Sequence, residues 1–214
     1  MYANNKDYPF AAFITNLGKY NDGVLVGEWV KFPTTAEDLK KVFERIGIGS
    51  KDEFGQPYEE WFITDYDRYV SGLDYLGEYE SLDELNYLAN LLDEMSNSEV
   101  EVFEAACELE GVADANEAIN VALNVDEYDL IDAYDVESLG EYYALELNAI
   151  DIPDSMRYYF DFEAYGRDIN MESRGMFVSN GYILDPTDGY FSNDYSGPDD
   201  IPDEYRVMEV EEDE

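Results

Sequence analysis

Residues 81–111 read SLDELNYLANLLDEMSNSEVEVFEAACELEG, and the pattern predicts two helices with a break between them. Ser81-Leu-Asp-Glu84 is a capping-box pattern, in which a hydroxyl at the helix entry and a carboxylate three residues on accept from each other's backbone N–H. Leu82, Leu85, Leu88, Leu92 and Met95 then recur at three- and four-residue steps, the period that gathers side chains on one helix face. Ser98-Glu-Val-Glu101 repeats the box, and Gly111 can end the helix it opens. On that second helix Val100, Phe103 and Cys107 make an inward face. Glu101, Glu104 and Glu108 follow at the same spacing one residue on, hence a parallel stripe turned by about 100°. The whole stretch carries nine acids and no lysine or arginine. Like charges three or four residues apart on a helix cost roughly 0.2–0.5 kcal/mol per pair, and nothing nearby relieves them.

The shortage of cations reaches far beyond this stretch. Residues 69–156 hold 24 acids and no base, whereas residues 1–68 hold twelve acids and eight bases and residues 157–214 hold sixteen acids and four bases. The 214-residue chain has a formal net charge of −40. An ordinary solvated helix face mixes Glu with Lys for pairing at i, i+4, so a plain solvated surface does not explain 88 residues without a cation. An acidic coat of the halophilic kind would extend over the first 68 residues, which are nearly balanced. The run is therefore read as a functional anionic surface. Its candidate residues are Asp83, Glu84, Asp93, Glu94, Glu99, Glu101, Glu104, Glu108 and Glu110, with Asp126 and Glu127 from the acidic NVDEYDLIDAYD (124–135).

Charge density suggests what such a surface imitates. B-form DNA carries one negative charge per ~1.7 Å of axis. The base-free run averages one acid per 3.7 residues, which on a single helix gives one charge per roughly 5.5 Å. A lone helix is too dilute, but two or three side by side reach duplex density. The full excess of charge corresponds to about 20 base pairs, as an upper bound.

The flanking zones are built differently. FAAFITNL (10–17) and VLVGEWVKF (24–32) alternate like strands around Asn21-Asp22-Gly23, a hairpin turn signal. TTAEDLKKVFERIG (34–47) has Thr34 or Thr35 to cap a helix, Leu39, Val42, Phe43 and Ile46 as its apolar stripe, and Gly47 to end it. EEWFITDYD (59–67) is a further strand. ANEAINVAL (115–123) predicts a short helix, Ser138-Leu-Gly-Glu141 opens another to about Leu147, and one more can start at Pro153. GMFVSNGYILD (175–185) returns to strand and turn, and SGPDDIPDEYRVMEVEEDE (196–214) reads as an acidic, disordered tail. With 20 Tyr and 11 Phe the chain is too aromatic for an acidic disordered polymer, so it folds. The expected class is α+β.

Much chemistry is excluded. The chain has no histidine, hence no His-activated nucleophile and no histidine metal site. Neither a GxxxxGK loop nor a GxGxxG turn occurs. The nearest approach to a calcium loop, Asp185-Pro-Thr-Asp188-Gly189, puts Leu184 and Pro186 where oxygen ligands belong. Paired carboxylates could serve a glycosidase, but 52 acids supply such pairs by chance. No enzyme activity, cofactor or metal is expected. Nucleic acid and anionic membranes are repelled, and basic surfaces attracted. The single Cys107 fits a reducing compartment, the amino terminus lacks a signal-peptide pattern, and no apolar run approaches the ~20 residues of a membrane span, so a cytoplasmic protein is expected.

AFITNLGKYNDGVLVGEWVKFPTTAEDL, YEEWFITDYD, LDELNYLANLLDEM, EVFEAA and FEAYGRDI, spread between about Ala11 and Tyr195, resemble the ArdA family of antirestriction proteins. That resemblance implies inhibition of Type I restriction–modification enzymes by mimicry of B-form DNA, in service of mobile genetic elements that evade host defence. It implies an elongated protein of three small domains that dimerises through the last. On this chain the expected division is a sheet-plus-helix domain at 1–68, a central acidic helical domain at 69–112, a mixed dimerisation domain at 113–195, and the tail at 196–214. The family's antirestriction motif resembles Leu91 to about Ala106, which places Asp93, Glu94, Glu99, Glu101 and Glu104 in it. YDLIDAYD supplies the dimer-contact candidates Asp129, Ile131 and Tyr134. The alternative is a general acidic binding module that sequesters nucleoid or other basic DNA-binding proteins. A calcium-buffering acidic protein is a third possibility.

Overall fold

The computed structural model describes residues 6–185 and 193–208. The chain is α+β, with two small antiparallel sheets, and condenses into two compact units. Of the described residues, unit 1 gathers 6–97, 112–123 and 193–208, and unit 2 gathers 98–111 and 124–185. The acidic stretch 69–112 is thus shared out: its first helix belongs to unit 1 and its second to unit 2. No helix among the described residues is long and apolar enough to cross a membrane.

In unit 1 the strands β1 (Phe10–Asn16), β2 (Gly27–Phe32) and β3 (Trp61–Arg68) form a sheet in the order β2-β1-β3. β1 is central and buried along nearly its whole length, and its register against β3 shifts between Phe13 and Ile14. The short helix α1 (Leu17–Asn21) sits in the hairpin connection, where Asn16 accepts from the Lys19 N–H. Helix α2 (Ala36–Ile46) starts on Thr35, whose Oγ accepts from the Asp38 N–H, and buries Leu39, Val42 and Ile46. It ends on Gly47 at φ +85°, a left-handed conformation that glycine takes without a Cβ penalty. Helix α3 (Leu82–Glu94) starts on Ser81 as the capping pattern requires and packs its leucines on β2 and on α5 (Ala115–Leu123).

The strip 193–208 closes this unit. Tyr195, Ile201 and Val207 are buried, and two single 3-10 turns, Pro198–Asp200 and Asp203–Tyr205, shape the chain between them. Much of the expected tail is therefore built into the fold; residues 209–214 lie outside the described residues. Its Pro and acid content conceals three apolar anchors six residues apart.

In unit 2 the helix α4 (Asn97–Glu110) begins at Asn97, so Ser98 stands inside its first turn and does not cap it. The strands β4 (Asp129–Ile131), β5 (Gly175–Val178) and β6 (Gly181–Leu184) pair in the order β4-β6-β5. Helix α6 (Val136–Glu141) is capped by Asp135, which accepts from the Ser138 N–H at 2.8 Å, while Ser138 Oγ reaches back toward the Asp135 backbone. The entry thus lies three residues before the expected one. The helix continues as a wider π turn over Tyr142–Glu146. A 3-10 stretch, Asp154–Tyr159, follows Pro153. Helix α7 (Phe162–Glu172) crosses α6 backbone to backbone: a Cβ on Gly140 would lie 2.0 Å from the Phe162 carbonyl, and one on Gly166 1.7 Å from that of Val136. Only glycine permits that approach. Ile131, Ala133, Leu139 and Tyr182 form the core of the unit, joined by Tyr142, Tyr143, Ile169, Phe177 and Leu184. α4 adds a buried face of Phe103, Ala105, Ala106 and Cys107.

Candidate anionic interaction surface

The inward face of α4 fixes where its carboxylates point. With Phe103, Ala106 and Cys107 buried, Glu101, Glu108 and Glu110 are exposed, and Glu99 and Glu104 are half-buried at the flank. The β5–β6 turn of the same unit holds the helix in place. Asn180 Nδ2 donates to the Glu101 carbonyl at 2.9 Å, and the Ser179 N–H donates to Glu108 Oε2 at 3.3 Å. Tyr128 Oη donates to Glu110 Oε1 at 2.9 Å, and burial pushes that phenol well above its ordinary range, so it remains a neutral donor. These partners position two of the carboxylates without neutralising them. Asp126 and Glu127 lie exposed on the 3-10 turn Val125–Glu127 that follows α5 in sequence.

Unit 2 exposes further acids from the same base-free run, among them Asp132, Glu137 and Glu141. Helical spacing alone does not single them out, but their position in a run without lysine or arginine could have. Asp135 is different: its hydrogen bonds from Ser138 hold its carboxyl below the usual range, because it serves as the cap.

In unit 1 the candidates divide. Asp93 and Glu94, in the last turn of α3, are exposed. Asp83 and Glu84 are half-buried and hydrogen-bonded within the unit, which sets them apart from the exposed candidates. Asp83 Oδ1 accepts from the N–H groups of Val207 and Met208 at 2.6 and 2.8 Å. Glu84 Oε1 accepts from Tyr195 Oη at 2.9 Å, and burial raises its carboxyl above the ordinary range. Both hold the 193–208 strip, a partner more than a hundred residues away that local spacing does not reveal.

The dimer candidates divide too. Asp129 and Tyr134 are exposed, and Tyr134 is held by a hydrogen bond to Asp132 that raises its phenol. Ile131 is 5% exposed and lies in the core with Leu139 and Tyr182. It is therefore closed to a second chain, because β4 pairs with β6 and turns this side chain inward. The same unit leaves Met156, Tyr158, Tyr159 and Met171 exposed. Among the described residues no group of three or more Cys, Asp and Glu converges as a metal site. Asp188 and Gly189 of the calcium-loop comparison lie outside the described residues.

No curated protein matches the chain. A family model described as "Antirestriction protein (ArdA)" matches residues 12–184.

Proposed function

Because the chain belongs to the ArdA family of antirestriction proteins, we propose that it blocks Type I restriction–modification enzymes by occupying their DNA-binding groove as an imitation of B-form DNA. The antirestriction role and the direction toward restriction enzymes come with the family; the mimicry, the Type I target and the service to incoming mobile DNA are the reading offered here. The inhibitor acts by occupancy, one protein per groove, and needs no chemical step, metal or cofactor. The observation that carries this reading is the run 69–156, with 24 acids and no base. The acids of α4 support it: five carboxylates, three exposed and two half-buried, over 14 residues give about one per 4 Å along the helix, close to the ~3.4 Å of a single DNA strand. Neutral donors, the Ser179 N–H and Tyr128 Oη, position two of them.

The test is competition for a DNA duplex by a purified Type I methyltransferase. The chain should displace the duplex stoichiometrically, with an affinity that falls steeply as salt rises, as it does when phosphates are bound. A complex that survives high salt and yields to no DNA would defeat the proposal.

Dimerisation belongs to the same reading. With Ile131 buried, the contact falls to Asp129 and Tyr134 together with the exposed apolar side chains of unit 2. Light scattering should give a dimer for the native chain and a monomer after Tyr158→Glu with Tyr159→Glu. A dimer that persists would move the interface elsewhere.

A further inference from the structure

Residues 193–208 lie beyond the stretch that carries the family match, yet they are fastened to unit 1 like a strap. Three buried side chains, Tyr195, Ile201 and Val207, anchor it. Polar side chains of α3 and α5 hold its backbone. Asn120 accepts from the Tyr195 N–H at 3.0 Å and donates to the Tyr195 carbonyl at 2.9 Å. Asn86 donates to the Tyr205 carbonyl at 2.8 Å and accepts from the Thr34 N–H at 2.7 Å, which ties strap and sheet connection together. Asp83 holds the Val207 and Met208 N–H groups.

The charges on both sides of this contact are alike. Beneath the strap stand Asp83 and Glu84, with Glu80 and Asp114 close enough to Glu84 to oppose its ionisation. Glu94 stands beside Tyr205. The strap itself carries Asp194, Asp199, Asp200, Asp203 and Glu204. Its one cation, Arg206, is turned back on the strap: the guanidinium donates to the carbonyls of Ile201, Pro198 and Asp199 and pairs with Asp203 at 3.7 Å. Apolar anchors and side-chain-to-backbone hydrogen bonds therefore hold an anionic segment against an anionic dock.

We propose that the strap is an electrostatic latch, whose docking on α3 and α5 tightens when cations screen or neutralise the carboxylates on either side. At low ionic strength it loosens and uncovers Asp83 and Glu84; against a cationic surface it closes. The inference goes beyond the DNA-mimic reading and rests on the contacts of unit 1 alone. Its salt dependence has the opposite sign to that of phosphate-like binding, which weakens with salt, so either can fail without the other.

Native-state amide exchange on the full chain tests it, in about 20 mM and about 300 mM NaCl, where the screening length falls from roughly 20 Å to about 6 Å. The amides of Tyr195, Val207 and Met208 should gain roughly fivefold in protection, and those of β1 about twofold or less. A parallel rise in strap and sheet would report general relief of self-repulsion and overturn the latch, as would an unchanged or falling protection. Glu84→Gln keeps an acceptor for Tyr195 Oη and removes the charge. It should raise strap protection at low salt and flatten the salt response; a looser strap, or an unaltered response, would also overturn the proposal.

Discussion

Helices α2 and α4 are of similar length and carry acids on their outer faces, but they treat them in opposite ways. On α2, Lys41 pairs with Glu37 at 2.9 Å and Asp38 at 3.2 Å, and Arg45 makes a two-point contact with Glu28 of β2 at 2.7 and 2.8 Å. Such exposed pairs contribute only about 0–1 kcal/mol each, yet they cancel the charge they touch. On α4 no base is present, and the partners that fix Glu108 and Glu110 are a backbone N–H and a phenol. A neutral donor settles where a carboxylate sits and leaves its field intact. The difference separates a helix face built to be inert from one built to be felt at a distance.

The comparison can be broken first through packing. Phe103→Ala removes the buried anchor that aims the α4 stripe while every charge remains; a loss of about 3–5 kcal/mol in unfolding free energy is expected, read by denaturant titration. If inhibition survives at a temperature where this variant stays folded, then aim matters less than charge. Reversing Glu101, Glu104 and Glu108 together to Lys attacks the charge instead. Competition for DNA binding should weaken by on the order of a hundredfold, whereas reversing Glu37, Asp38 and Glu44 on α2 should change it by about threefold or less. Equal losses from the two triples would favour a nonspecific acidic binder over a shaped mimic.

The smallest expected effect is one of pH. The guanidinium of Arg45 holds the Glu28 carboxyl below its ordinary value of 4.5, while burial holds that of Glu84 above the same value. The signs oppose each other. What Glu28 adds to stability is present above its ordinary value and lost as pH falls through its lowered one. What Glu84 adds is fullest below 4.5 and is lost as pH rises through its raised value. Carboxyl NMR titration should place the Glu84 midpoint above that of Glu28, and the reverse order would undo the assignment of their surroundings.

Local signals carried much of the fold. Thr35, Ser81 and Gly47 do at their helix ends what residue type and spacing require, because capping acts over three or four residues. The readings that changed depend on distant partners. β4 is three residues long and exists through pairing with Tyr182, Ile183 and Leu184, so nothing within the acidic stretch around it announces a strand. Asp83 and Glu84 share composition and spacing with the exposed acids, and only the returning strap distinguishes them. Ile131 is turned into the core of unit 2 by a different distant partner, β6. At the site, the acids of α4 were legible from the wheel because one apolar face fixes the other, while the donors that hold them, Ser179, Asn180 and Tyr128, lie on other elements.

Cys107, buried on the inward face of α4 with its thiol pushed up by that burial, is also the only sulfhydryl in the chain. A thiol reagent reacts with the thiolate and needs access to it, so labelling must wait until α4 lifts from its core. Its rate therefore counts openings of unit 2 and is blind to unit 1, which contains no cysteine. The native sequence thus carries its own single-site reporter, through which the motion of the acidic helix can be timed without altering one of its carboxylates.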